Sequence, residues 1–380
     1  MEFLDLIETI RAEEADAKRL YAGDGRSVRS MSSDSPEYLA RLAEAATLIA
    51  DVYDGRKPGR LLAEAMTTSD FPYLFGDVLD RQLLANYREV PATYQTWARQ
   101  STVRDFRTAK RFYTNGGEDI LTAVKEREEY PEVSRDEGKY ELSVSKYGKS
   151  FSISWETFIN DDLDALKDQP ARFAKAARYS EERYATGLIA NNASFFTTGQ
   201  GNRRTSAGGQ LSVASLTAGF QAMADMTDPA GLPILNTPSI LLVPPALEVT
   251  AMTILNSTEY TYNGDGTTVE WMKVANWLRS KVQLVVNYWL PILDGSKGDT
   301  AWYLFASPNE GRGAVEFAKL RGHEAPEIFM KAPDAQRIGG GLNAMDGDFS
   351  TDDIRYKIRH VFGGAVLDYR YAYMSEGNSA

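Results

Sequence analysis

The sequence predicts an α+β fold, and three observations carry that prediction. Apolar residues in the first ninety positions recur at helical spacing. Residues 119–155 are charged and alternate like strands, and the longest helical pattern follows them. The last eighty residues are strands almost throughout.

The elements follow in chain order. Ser35 and Pro36 form a helix start signal. Leu39, Leu42, Ala46, Ile49 and Tyr53 then alternate at spacings of three and four, a coiled-coil-like seam. "DGRKPGR" (54–60) interrupts it with turn residues. The first 66 residues therefore read as a separable helical segment outside the main core, and a chain lacking residues 1–60 is expected to fold. A second start signal, Ser69, Asp70 and Pro72, opens a helix over 69–87. Its stripe is Phe71, Leu74, Phe75, Val78 and Leu79.

"TVRDFRTAKRFY" (102–113) is strand-like. "YELSVS" (140–145) alternates Tyr140, Leu142 and Val144 with polar residues, and "SFSISW" (150–155) alternates Phe151, Ile153 and Trp155 with serines. The apolar parity flips between these pieces, which predicts a turn or bulge at "KYGK" (146–149) and an exposed hairpin. A long helix follows from caps at Asn160, Asp161 and Asp162, with a restart or kink at Pro170. Its stripe is Phe173, Ala177, Tyr184 and Leu188, with Glu181, Glu182 and Arg183 mostly facing solvent. A mixed block comes next: helices at 213–226, 246–255 and 269–280, strands at 239–245 and 282–287, and a glycine loop "NGDG" (263–266). Strands are then expected at 301–306, 314–320, 327–332 and 354–374.

Composition narrows the function. The 380 residues are 43% hydrophobic and 11% aromatic, enough for a substantial core. No apolar run is long enough to span a bilayer, and the acidic, helical N-terminus is unlike a signal peptide. The absence of cysteine excludes disulfides, thiolate nucleophiles and cysteine metal sites. A net charge of −11, from 42 Lys+Arg against 53 Asp+Glu, opposes a general grip on nucleic acid. It reads as a soluble acidic protein.

Chemical motifs are weak. The only histidines, His323 and His360, lie far apart, and no G-x-S-x-G elbow occurs. "GQGNRR" and "IGGGLN" lack a Walker lysine and a dinucleotide-binding frame. "DGDFSTDDIRYK" (346–357) has oxygens at the odd places of a calcium loop. It lacks the central glycine and carries Lys357 where a bidentate glutamate belongs. Helix capping accounts for Asp161 and Asp162. The inventory is that of a protein with no catalytic, cofactor or metal site.

Larger blocks carry a resemblance. "FSISWETFINDDLDALKDQPARFAKAARYSEERYATGLIANN", "PSILLVPPALEVTAM", "WYLFASPNEGRGAVEFAKLRGHEAPEIFM" and "YKIRHVFGGAVLDYRYAYM" resemble, in this order, the major capsid proteins of tailed bacteriophages. The branch most similar is that of the Mu-type major head subunit, and the similarity runs from about Leu61 to about Glu376. It implies the Hong Kong 97-type fold, which encapsulin compartments share. The implied organisation is an N-terminal helical extension (1–66), an N-terminal arm (67–114) and an extended hairpin loop (115–155). A peripheral domain with a spine helix (156–208), an axial domain (209–300) and long returning peripheral strands (301–380) complete it.

The implied function is self-assembly as hexamers and pentamers into an icosahedral head around double-stranded DNA, bound without sequence specificity and without a membrane. Implied partners are a portal, a scaffold or protease, and decoration proteins; the implied location is the virion capsid, assembled in host cytoplasm. Relatives often lose a scaffolding segment, whereas residues 1–66, retained here, imply a built-in assembly element or an elaborated arm. The inter-subunit candidates are Phe71 and Phe75 of the arm helix and the tip charges Lys125, Glu126, Arg127 and Arg135. Tyr140, Leu142 and Val144 on the ribbon face and the hairpin lysines Lys146 and Lys149 join them. Some relatives cross-link such lysines to a neighbour's asparagine, but no motif here supplies that partner. The competing readings are an encapsulin-like shell and, from another class, a soluble hydrolase using Glu156 and Asp161.

Overall fold

The computed structural model describes residues 3–22, 35–58, 61–62, 65, 71–115, 124, 136–154, 169–229, 231–234, 236–263, 271–309, 311–331, 348–351 and 353–378. They form a mixed α+β fold in two compact units. The first unit is 1–91, 146–179 and 322–361; the second is 92–145, 180–321 and 362–380.

The first unit is built on three helices, α1 (Phe3–Ala22), α2 (Pro36–Tyr53) and α3 (Phe71–Glu89). Ser35 caps α2 as its pattern predicts, accepting the Tyr38 N–H at 3.3 Å. The α2 seam, the α1 residues Leu6, Ile7 and Ile10, and the α3 stripe share one core with Tyr356. Polar ties reinforce it: the Tyr38 hydroxyl donates to Asp77 at 3.2 Å, and Arg81 pairs with Glu13 at 2.6 Å. The N-terminal helices are thus integral to this unit and not a separable segment. The seam that looks like a partner-binding stripe in the sequence is consumed by α1 and α3 of the same chain.

Farther along α3, Leu83 and Tyr87 pack on Ala174, Ala177 and Ile358. Ala174 and Ala177 lie on α5 (Gln169–Ile189), a helix whose last turns belong to the second unit. Arg178, 7% exposed, donates to the Tyr87 carbonyl at 2.9 Å and lies 3.6 Å over its ring. Strand β12 (Glu327–Met330) pairs antiparallel with Tyr356–Arg359 of β13 (Ile354–Val366). Strand β4 (Val144–Ile153) also pairs with β13. It runs unbroken through Lys146–Lys149, so the expected turn does not exist. Gly148 serves close approach instead: a Cβ there would sit 2.5 Å from the Ile358 carbonyl oxygen.

The second unit centres on a sheet ordered β5 (Arg203–Arg204), β14 (Ala372–Ser375), β10 (Trp302–Ala306), β6 (Pro238–Val243) and β9 (Gln283–Val286). Both faces are buried. Tyr303, Phe305, Ile240 and Leu242 face a core with Tyr94 and Trp97 of the short helix α4 (Tyr94–Trp97), Ile189 and Phe317. Trp302, Leu304, Leu241 and Val243 face the other, covered by α6 (Val213–Ala224) and α7 (Glu248–Asn256). Strict alternation to opposite faces explains why these strands read as continuous apolar runs. Beside it, β1 (Arg99–Val103) pairs parallel with β11 (Val315–Leu320), which pairs antiparallel with Phe362–Val366 of β13.

Three expectations change here. The 269–280 helix is not formed: Trp271–Ala275 is strand β8, paired antiparallel with β7 (Glu259–Asn263). The alternation of Tyr260 and Tyr262 with polar residues, and of Trp271, Lys273 and Ala275 with Met272 and Val274, suits a paired ladder, and the pairing outweighs the helical spacing. The 354–374 strand is two strands. Asp368, 2% exposed, caps the Tyr369–Tyr371 turn by accepting the Arg370 N–H at 3.1 Å. Third, Glu181 and Glu182 are buried, at 0% and 6% exposure. Glu181 faces Lys319 at 2.9 Å and accepts from the Tyr94 hydroxyl at 3.2 Å. Glu182 accepts from the Thr93 hydroxyl at 2.8 Å and the Tyr94 N–H at 3.1 Å. Burial pushes the Glu182 carboxyl up, against the lowering effect of those two hydrogen bonds. Arg183 is exposed, as expected.

Candidate functional site

The second unit carries a two-stranded ribbon with one exposed face. Strand β2 (Ala109–Asn115) pairs antiparallel with β3 (Asp136–Leu142), from Ala109↔Leu142 to Asn115↔Asp136. The strand partner of 136–142 is therefore 109–115, while 144–153 belongs to a different sheet. Alternation gives the ribbon two dissimilar faces.

Its inner face carries Ala109, Arg111 and Tyr113 with Gly138, Tyr140 and Leu142 across the pair. Arg111 reaches Glu316 of β11 at 2.8 Å, and Glu316, 3% exposed, also accepts from the Ser101 hydroxyl. Arg312 lies 4.3 Å over the Tyr113 ring, which stacks on Tyr140 at 4.6 Å. Tyr113 covers Gly138 so closely that a Cβ there would lie 2.2 Å from the ring. Burial, then the nearby Asp368 charge, pushes the Tyr140 hydroxyl well above its ordinary value. A two-stranded ribbon is marginal alone; these contacts bind its base to its own subunit.

The outer face is the reverse. Phe112 is 72% exposed, between Lys110 and the Lys139–Glu141 pair (3.0 Å). Phe106, in the bend before β2, is 54% exposed. Beneath the ribbon base lies a groove of about 530 Å³ whose lining includes Arg99, Lys110, Arg111, Phe112, Arg312 and Glu316.

The residues singled out from the sequence divide into three groups. Phe71 and Phe75, 9% and 2% exposed, and Leu142 and Val144, 1% and 4% exposed, are taken into the subunit's own interior. They offer no surface to a neighbour, because the cover they need comes from the same chain. Tyr140 is half-buried on the inner face, while Lys146 and Lys149 are exposed on β4. Lys125, Glu126, Arg127 and Arg135 lie outside the described residues, as do Trp155, Glu156, Asn160–Asp162 and the "IGGGLN" stretch. Sequence reasoning missed Arg111, Phe112, Arg312 and Glu316. Pairing 109–115 with 136–142 was the signal that would have placed Phe112 outward.

No chemical centre competes with this surface among the described residues. No group of three His, Asp or Glu side chains there is placed to hold a metal ion. Asp348 of the calcium-like stretch instead faces Arg355 at 3.1 Å and Lys331 at 3.4 Å. His323 pairs with Glu327, which Arg359 also holds at 2.6 Å. No helix among the described residues is long and apolar enough to cross a membrane.

A family model described as phage capsid protein matches residues 139–375, more than half of the chain. The chain belongs to the phage capsid protein family. It is a phage capsid protein, with a structural role in the virion capsid. No curated protein matches this capsid protein. Among solved structures it is similar to Mycobacterium phage Patience, with 10% identity, 83% of this chain and 91% of that chain covered, and a TM-score of 0.47. It is similar to the capsid structure of cyanophage P-SCSP1u, with 12% identity, 76% and 89% covered, and a TM-score of 0.45. The holo-SrpI encapsulin complex from Synechococcus elongatus PCC 7942 matches with 14% identity, 77% and 89% covered, and a TM-score of 0.42.

Proposed function

We propose that this capsid protein is a shell subunit with the Hong Kong 97-type fold, akin to the Mu-type major head subunit. It assembles as hexamers and pentamers into an icosahedral head that encloses double-stranded DNA. The observation that carries the reading is the family match over 139–375, which takes in the end of the ribbon strand β3, the long helix and strands β4 to β14. In this reading the ribbon that runs from 109 to 142 is the extended loop, 209–300 the axial domain, and 156–208 with 301–380 the peripheral domain. A portal, a scaffold or protease, and decoration proteins are its further partners.

The geometry supports an interlocking role for the ribbon. Its inner face is satisfied within the subunit, and its outer face presents Phe112 with charged flanks. Closed shells need many such modest, repeated contacts. Negative-stain microscopy of the expressed protein tests the reading: closed shells or capsomer rings are expected, and a monodisperse monomer at all concentrations would overturn it. No covalent joining is part of this reading, so denaturing gels of mature particles should show only the monomer band.

A further inference from the structure

Where the last strand of the second unit ends, an amine, a carboxamide and a carboxylate meet. Strand β14 runs out at Ser375, and Glu376 and Asn378 follow it. Gly377 between them has φ 69°, and a Cβ there would lie 2.0 Å from the Thr300 carbonyl oxygen, so the backbone passes close against the 294–300 turn. Asp294, 4% exposed, fixes that turn by accepting the Ser296 and Lys297 N–H groups, both at 3.1 Å. The Thr300 hydroxyl donates to the Glu376 carbonyl at 2.8 Å and ties the turn to the strand. Lys297 Nζ then donates to Asn378 Oδ1 at 2.5 Å and lies 3.9 Å from Glu376 Oε2. The Asn378 amide donates to the same Glu376 oxygen at 3.2 Å and to the Thr205 carbonyl at 2.7 Å. Its backbone carbonyl accepts the Gly209 N–H at 3.1 Å.

Each group is within reach of the other two, and the set is held from several sides. Arg203 takes the far oxygen of the carboxylate, Glu376 Oε1, at 2.6 Å, which leaves Oε2 to Lys297 and Asn378. Two cations therefore share one carboxylate that is 8% exposed, and the Arg203 charge beside it favours release of the lysine proton. We propose that Lys297 and Asn378 join in an isopeptide bond within the chain, with Glu376 as the proton carrier. Glu376 takes one proton from the Lys297 ammonium, and the neutral Nζ attacks Asn378 Cγ from its preset contact. A second Nζ proton leaves as the Nζ–Cγ bond forms. Glu376 passes both to Nδ2, the Cγ–Nδ2 bond breaks, and the nitrogen departs as ammonium. One amide replaces another, so no oxidant or co-reactant is needed, and Glu376 ends unchanged. The step is a single self-modification and not a turnover. Both partners belong to one chain, so the monomer band of denaturing gels is unaffected. The bond would pin the end of β14, an interior strand of its sheet, to the turn that leads into β10, closing the chain from 297 to 378.

The test is the intact mass of the full-length chain under denaturing conditions. Wild type is expected to be lighter than its sequence by one ammonia. Its tryptic digest should show no cleavage after Lys297 and should contain a branched peptide joining 282–312 to 371–380. K297R and N378A subunits should keep the full mass of their sequences. E376Q retains both partners and loses the proton carrier, so its linked fraction should accumulate at least about a hundredfold more slowly. A cooperative melting transition in each variant shows that folded subunits are being compared. Wild type at its full sequence mass would overturn the proposal whatever the variants do. So would a loss of ammonia that persists in K297R, because an asparagine can also expel ammonia by closing on its own backbone as a succinimide. Equal rates in E376Q and wild type would overturn the role given to Glu376.

Discussion

The ion pair of Lys319 with Glu181 offers the sharpest energetic test of the fold. Their charged atoms are 2.9 Å apart, with side-chain exposures of 15% and 0%. At an effective dielectric near 20, two unit charges at this distance attract by roughly 6 kcal/mol. Desolvation costs several kcal/mol per ion, so the pair itself contributes little net stability. Removing one partner is different. K319M leaves the Glu181 carboxylate buried with one cation fewer, and E181L strands the ammonium beside an apolar side chain. Each single change should cost about 3–5 kcal/mol. For a unit of this size that lowers the melting temperature by about 6–20 °C. The double variant E181L/K319M removes both charges and should recover much of that loss, ending about 1–3 kcal/mol below wild type because the buried Tyr94 hydroxyl loses this acceptor. Urea and thermal unfolding of dilute subunit, followed by tryptophan fluorescence, reads this directly, because Trp97 and Trp302 are buried in the same unit. A double variant as unstable as the two singles added together would refute the argument. The position would then matter for packing volume and not for charge.

Three further outcomes follow from the first unit. G148A should destabilise it by about 1–3 kcal/mol in a urea titration, since the new methyl group overlaps the Ile358 carbonyl oxygen of the paired strand. Asp80 accepts the Ile328 N–H at 3.3 Å, and burial holds its carboxyl above the ordinary carboxylate range. The native state therefore binds this proton more tightly than the unfolded chain, and its contribution to stability is lost as pH rises from about 4. D80N keeps the acceptor and removes the charge, so melting curves from pH 4 to 7 should show a flatter profile and a higher midpoint at pH 7. Deleting residues 1–60 should give an aggregating, dye-binding subunit without a cooperative transition in this unit, because Leu74, Phe75, Val78 and Leu79 lose their cover. A soluble truncated subunit with native melting would show that α3 finds another partner.

Much of this architecture was legible where one period dominates. The α2 seam, its Ser35 cap, the α3 stripe and the buried strands at 238–243 and 302–306 follow from spacing and capping chemistry. The fold departs from the sequence pattern where a local signal fits two structures. "WMKVA" satisfies a helical spacing and a strand alternation alike, and only pairing with "EYTYN" decides it. The glycine of "KYGK" is equally at home in a turn and against a crowding strand, and Ile358 selects the latter.

The candidate surface was harder to read because exposure is a property of the whole chain. An apolar stripe near the N-terminus looked available to a neighbour, yet the flanking helices of the same chain, Phe3–Ala22 and Phe71–Glu89, cover it. Conversely, Glu181 and Glu182 looked solvated, yet Lys319, Tyr94 and Thr93 draw them inside. The balance of buried charge follows from this exchange. α5 keeps its carboxylates inward because distant residues satisfy them, while Arg99 and Lys110 are left outward beside a ribbon whose inner arginines are already engaged.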